Sequence, residues 1–334
     1  MRNKSKVYIL LLVIILGIIY FVKINTTTTS VKKQTYKIGV LMASDNRIRK
    51  IEGLEKGLRQ YNFKDAEIET IIRNAKEDKS LLENLTKELI AENVDIIVTT
   101  GIQETTVAKS ALGDRDIPVV FIGVGCSVEL GLVKDNISPA CNVTGIDSHY
   151  VQLSGKRMEY LKKLVPDLKK VLILYNPSIT PFDPSSKFLI DAAESLQVDI
   201  IIKETNSGEE ILTALEENKN KVDGAILMCS LYRNSTIDSI VDFIIENKLP
   251  VLGVDELQVE RGMLAFYGIT TYDEGIQASR MVANLLKGQS ANKIPIETPE
   301  NLELHVNTET ARLLGIEINK SELLFVDKFI QGKR

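Results

Sequence analysis

One series of strand and helix patterns occurs twice in this chain, in the same order, displaced by about 130 residues. Lys37-Ile-Gly-Val-Leu-Met42 is a short apolar run of the kind that forms a strand buried on both faces. A helical period follows over Ile48 to Tyr61, then a strand at Glu67 to Ile72 and a helix at Ser80 to Glu92. Asp95 to Thr99 and Pro118 to Gly123 continue as strands around a helix at Glu104 to Leu112. Val171-Leu-Ile-Leu-Tyr175 then parallels the first strand. Val222-Asp-Gly-Ala-Ile-Leu227 parallels Val94-Asp-Ile-Ile-Val98, and Leu249-Pro-Val-Leu252 parallels Ile117-Pro-Val-Val120. A repeated βα series predicts two similar α/β lobes, each a doubly wound parallel sheet.

Two such lobes face each other across a cleft at the carboxyl ends of their strands, where open α/β sheets bind ligands. The chain must cross between them, and the pattern places the crossings near Thr144 to His149, Tyr267 to Thr270 and Glu297 to Leu304. Lobe 1 is then 36–145 plus 270–296, and lobe 2 is 146–269 plus 297–334. That geometry suits capture of a small molecule by hinge closure.

Ahead of the lobes, Arg2, Lys4 and Lys6 precede an uncharged apolar run from Val7 to Val22 that ends at Lys23. At about 1.5 Å per residue this helix is somewhat shorter than a hydrocarbon core of roughly 30 Å, and Tyr20, Phe21 and Lys23 extend it at the interface. No small-residue cleavage pair follows it, so residues 1–24 read as an uncleaved anchor rather than a cleaved signal, with 25–35 as a threonine-rich tether. The basic cluster favours a cytoplasmic N-terminus and an extracytoplasmic remainder.

All six basic residues of the first 33 lie in a stretch without acidic ones, so the lobes are more acidic than the whole-chain charge of −4. Nucleic acid demands clustered Lys and Arg, and is an unsuitable partner. The only histidines, His149 and His305, are far apart in the chain, which argues against a histidine metal site. Cys126, Cys141 and Cys229 allow at most one internal disulfide. Cys126 follows a strand in a glycine-containing loop, yet no recognisable Cys-His arrangement would activate it. With no Walker-A loop and no G-x-S-x-G elbow either, a binding module without chemistry or cofactor is expected rather than an enzyme.

Ile117-Pro-Val-Val-Phe-Ile-Gly123, Gly131-Leu-Val-Lys134 and Asn142-Val-Thr-Gly145 set up a broader likeness. It continues through Val171-Leu-Ile-Leu-Tyr-Asn-Pro-Ser178, Pro250-Val-Leu-Gly-Val-Asp255, Arg261-Gly-Met-Leu-Ala265, Leu286-Lys-Gly288, Ile294-Pro-Ile-Glu-Thr-Pro299 and Leu313-Leu-Gly-Ile316. In their order and spacing these segments resemble the ABC-transporter substrate-binding family that includes tryptophan and tyrosine binders. The resemblance implies a type I periplasmic-binding fold with a three-crossover hinge. It also implies delivery of the ligand, often an aromatic amino acid, to a permease and an ATPase encoded elsewhere, by a protein expected to be monomeric. A ligand sensor or co-receptor using the same clamp is the alternative. A chain that reaches Arg334 without a second apolar span or signalling domain disfavours an autonomous receptor.

By position in such proteins, the loops after successive strands would line the cleft. They offer Ser44, Asn46, Thr100, Gly101, Gln103, Glu104, Gly125 and Cys126 from lobe 1, and Tyr175, Asn176, Ser178, Ser230, Tyr232, Asp255 and Tyr267 from lobe 2 and its hinge. Each hydroxyl and amide here either fixes a ligand or caps a helix. Asp255 either pairs with a ligand ammonium or caps the next helix, and Glu104 either binds a cationic group or favours its own helix N-terminus. The tyrosines either offer ring faces to a ligand or pack. Three loops depart from the family pattern. Ile102-Gln-Glu104 stands where Gly-Thr-Pro-Ala is usual, Gly125-Cys126 where Ser-Asp is usual, and two extra prolines follow Asn176-Pro-Ser178.

Overall fold

A computed structural model of the protein describes residues 35–139, 141–228, 234–318 and 324–332. The predicted anchor and tether, and the candidate residues Ser230 and Tyr232, lie outside these residues. Among the described residues, no helix is long and apolar enough to cross a membrane.

The first sheet holds β1 (Tyr36–Met42), β2 (Ile68–Asn74), β3 (Ile96–Thr99), β4 (Val119–Val124) and β5 (Val143–Asp147), all parallel, in the order β2-β1-β3-β4-β5. The second holds β6 (Lys170–Tyr175), β7 (Asp199–Glu204), β8 (Gly224–Leu227), β9 (Val251–Gly253) and β10 (Ala265–Gly268), with β11 (Glu303–Asn307) and β12 (Lys328–Ile330) beyond them. Its order is β12-β11-β10-β9-β8-β6-β7, so β7-β6-β8-β9-β10 repeats the order of the first sheet. Among the described residues, the one departure from parallel pairing is β11, which runs antiparallel to β10.

Helices cover both faces of each sheet, which is why β3, β4 and β8 are buried along their whole length. In lobe 1, α1 (Ile48–Gln60) lies on one face while α2 (Leu82–Ala91) and α3 (Ile102–Leu112) cover the other. In lobe 2, α4 (Ser154–Leu164) and α5 (Phe182–Leu196) oppose α6 (Gly208–Asn218) and α7 (Asn234–Glu246). A short α8 (Glu256–Glu260) follows β9.

After β10 the chain returns to the first sheet as α9 (Thr271–Leu286), which packs along α1. Glu297 then bridges to Ile146 at the end of β5, and the chain re-enters the second sheet as β11 before α10 (Thr308–Leu314). The α1–α9 contact is a backbone approach. A Cβ on Gly53 would stand 2.0 Å from the Tyr272 carbonyl oxygen, and one on Gly275 would stand 1.9 Å from that of Lys50. Gly275→Ala therefore has no flexible neighbour to displace, and is expected to lower unfolding stability by at least about 1–3 kcal/mol, measured by urea denaturation. Unchanged stability would show that the two helices can part at no cost.

Candidate functional site

The strand ends of lobe 1 carry a polar floor. After β1, Ser44 is buried and its hydroxyl has no hydrogen-bond partner among the described residues. It precedes a tight turn, Asp45–Arg47, that holds the half-buried Asn46 and the buried Arg47. After β3, Gly101 caps α3, which begins at Ile102. Ile102, Gln103 and Glu104, read from sequence as a cleft loop ahead of a helix starting at Glu104, therefore form the first turn of that helix. Gly101, the N-cap, stands in extended backbone and makes no side-chain cap bond. Glu104 is fully buried, and its Oε1 accepts from the Ala43 amide at 3.0 Å and the Thr100 hydroxyl at 2.9 Å, tying two strand-end loops together.

Near the end of β4, Gly123 has φ +76, and beyond it Cys126 has φ +59, both in the left-handed region. The Cys126 thiol is buried and pushed well up, first by burial and then by the Asp147 and Glu129 carboxylates, the reverse of what a nucleophile needs. Cys126 and Cys141 are both free thiols.

Buried charges organise the crossings. Lys50 of α1 is fully buried, and its ammonium donates to the carbonyls of Ile122 at 2.9 Å and Thr100 at 3.2 Å, at the ends of two lobe 1 strands. It also pairs with Glu274 of α9 at 2.8 Å, and Glu274 accepts from the hydroxyl of Ser148 in the first crossing. Burial lowers the Lys50 pKa and Glu274 opposes that shift. Arg157, also fully buried, donates to the Tyr150 carbonyl at 2.7 Å and the Tyr267 carbonyl at 2.9 Å, joining the first crossing to the second. Asp147 accepts from the Ser127 amide and hydroxyl, each at 3.1 Å, and from the His149 amide at 3.0 Å.

From lobe 2, Asp255 is buried and caps α8 by accepting the Gln258 amide at 3.0 Å. Burial raises its pKa, and among neighbouring charges Arg47 opposes that most. Glu256 accepts both the amide and the hydroxyl of Thr271, where α9 begins. Asn176 turns inward on its own loop, accepting from the Ser178 amide at 3.0 Å and hydroxyl at 2.6 Å. Tyr175 packs against the lobe 2 core, and Tyr267 packs its ring 4.7 Å from that of Tyr160.

Between the lobes lies a cavity of about 10 Å³, the room of a single water. Arg47, Gly101 and Ile102 wall it from two strand-end loops, Gly123 to Gly125 from a third, Tyr150 from the crossing and Ile179 from lobe 2. Of the residues expected from sequence, Gly101 and Gly125 line it; Arg47 and Tyr150 line it unforeseen. Hollows of about 340 and 310 Å³ also exist, but they lie between α1 and β2 and between α5 and β7, away from the strand ends of either sheet. Across the lobes, Arg49 of α1 grips Glu260 of α8 with two bonds of 2.8 and 2.7 Å, with Glu256 at 3.9 Å. The lobes are shut.

The family model for ABC transporter substrate binding proteins matches residues 36–329, both lobes and all three crossings. The chain belongs to that family. It is similar to a tyrosine-binding protein of Clostridioides difficile, 26% identical across 88% of this chain and 84% of the relative. It is also similar to a Streptococcus pneumonia ABC domain in complex with L-Trp, 25% identical, covering 89% of this chain and all of that one, with a TM-score of 0.79. An open, ligand-free substrate binding protein from Clostridium difficile, described as having adhesive properties, overlaps less closely. Its TM-score is 0.67 at 23% identity, covering 90% of this chain and all of that one.

Two expectations follow from the buried charges of this family member. Lys50→Met strips Glu274 of its buried cation and two carbonyls of their donor, and is expected to cost about 3–5 kcal/mol; adding Glu274→Leu should recover much of that. Equal stability of the single and double variants in denaturant would mean that the pair is not coupled.

The Glu256 carboxyl is pushed up to about 7 by burial and then by Asp255, from an ordinary 4.5. The folded protein therefore holds this proton more tightly than the unfolded chain. Its contribution is fully present below 4.5 and is lost as pH rises through about 7. Melting temperatures across that window should fall less steeply for Glu256→Gln. An identical slope would assign the titration elsewhere, with Asp255 the first alternative.

Proposed function

We propose that the two lobes capture a small ligand, an aromatic amino acid, outside the cytoplasm, and that the closed form presents it to the permease and ATPase of an ABC importer. The observation that carries this reading is a pair of duplicated strand-end surfaces meeting at one cavity. That cavity is walled by glycine backbone, a tyrosine ring and a buried cation, and opening the hinge would enlarge it. Family membership supplies the substrate-binding role. The tyrosine-binding relative and the L-Trp complex support the ligand class. In this proposal the chain acts as a monomer, the apolar run at Val7 to Val22 anchors it, and it performs no chemistry of its own.

Ligand that binds only the folded clamp stabilises it by mass action, roughly 2.7 kcal/mol at about 100 times the dissociation constant. A thermal-shift screen of the chain against amino acids, nucleosides and sugars should single out tyrosine or tryptophan. Stabilisation by a nucleoside or sugar, with none from any aromatic amino acid, would reject the ligand class.

A further inference from the structure

In each crossing the chain passes from bonds with one lobe to bonds with the other within a residue or two. In the first, the Ser148 amide donates to the Val124 carbonyl at 2.9 Å and the Ser148 hydroxyl donates to Glu274, so the chain is held to lobe 1 through Ser148. The Tyr150 carbonyl accepts from Arg157 of α4 at 2.7 Å, so from there the chain is held to lobe 2. His149 stands between them. Its amide donates to Asp147, the last residue of β5, at 3.0 Å, and its carbonyl accepts at 3.0 Å from the amide of Leu153, the N-cap of α4. The φ and ψ of this one residue separate a bond to each lobe. In the second crossing β10 ends at Gly268 and Thr270 caps α9, while Glu256 of α8 holds the first turn of α9 across the joint. In the third, Gln277 of α9 holds the Glu300 amide at 3.2 Å and β11 begins at Glu303.

His149 also has φ +53, in the left-handed region. Among the described residues, every other non-glycine with positive φ lies on a turn inside one lobe: Asn62, Asn93, Gln197 and Lys248 at the ends of helices, the rest after β2 or β4. Left-handed backbone is unfavourable for an L-residue, because its Cβ crowds the following carbonyl, and it persists only where the surroundings impose it. At His149 the two imposing bonds lead to different lobes.

Resting on the reading of the two lobes as a clamp, but on no ligand class, we propose that His149 is the torsional pivot of the first crossing and that its left-handed backbone belongs to the shut form alone. Opening carries φ back to a negative value and releases the strain. Rotation is confined to this residue because both of its anchors are fixed: Asp147 is held by the Ser127 amide and hydroxyl, and Arg157 is fully buried in lobe 2. The strain therefore opposes closure by an amount set by the side chain at 149. It vanishes for glycine, which has no Cβ, and is greatest for a β-branched residue.

The test is a backbone series, His149→Gly, His149→Ala and His149→Val, in the full chain. None of the three carries the imidazole, so differences among them report the backbone at 149. Small-angle neutron scattering in contrast-matched detergent reads the balance of shut and open forms. Calorimetric titration and release kinetics with tyrosine and tryptophan read its effect on binding. The radius of gyration without ligand should fall from Val through Ala to Gly. Glycine should raise the ratio of shut to open forms about 5-fold or more over alanine, with tighter binding and slower release in the same order. Should His149→Val not fold, Ala and Gly carry the comparison. Scattering, affinity and release that are unchanged across the series overturn the pivot, because the left-handed backbone would then be common to both forms. If scattering follows the series while neither aromatic amino acid binds, the pivot stands and the proposed ligand class fails. If one of them binds equally to every variant and the scattering is flat, the ligand class stands and the pivot fails.

Discussion

The ammonium of Lys50 is the point on which lobe 1 and its crossings converge. A fully buried lysine loses its hydration and survives as a cation only where acceptors surround it, and here they come from three separate stretches of chain. Two are the carbonyls of Thr100 and Ile122, near the carboxyl ends of β3 and β4. The third is Glu274, brought by α9 after the chain has travelled through the whole second sheet. Ser148, in the first crossing, donates its hydroxyl to the other oxygen of Glu274. One buried charge thus fixes the distance between α1 and α9, the position of two strand-end loops and the path of the hinge. The glycine-to-backbone approach at Gly53 and Gly275 is what lets α9 come near enough for this to happen.

The hinge is built on the same principle. Arg157 satisfies carbonyls from two crossings at once, and Glu256 receives the amide and hydroxyl that open α9. Crossing strands have few backbone partners of their own, so buried side chains take the place of a ladder. By contrast, the Arg49–Glu260 pair lies part-exposed between the lobes rather than inside either one. Solvent screens it, so it can bias closure without locking it.

Much of the architecture was legible because strand burial and helix period are local properties. The repeated series around Lys37–Met42 and Val171–Tyr175 reappears as two sheets with one strand order, and the element limits differ by a residue or two. The reversed direction of β11 was not legible, since a five-residue strand pattern reads alike in either direction. The site was harder. Arg47-Ile-Arg-Lys50 looks in sequence like the solvated face of an opening helix, and only the arrival of α9 and the second lobe buries Arg47 and Lys50 while leaving Arg49 at the rim. Glu104 could be placed near the cleft from its position after β3. Its bonds to Ala43 and Thr100 depend on the approach of the loop after β1, which no local pattern encodes.

The repeated strand order has one more effect. If the two lobes were alike in side chains as well as in backbone, their shared cavity would have a local two-fold axis, and a molecule inside could lie either way round at equal energy. Arg47 and Ile179 occupy corresponding turns, after β1 and after β6, and both face the cavity. One is a cation and the other an aliphatic chain. Duplicated backbone with mismatched side chains converts a symmetric socket into a keyed one, in which end-over-end reversal of the occupant is no longer energetically neutral.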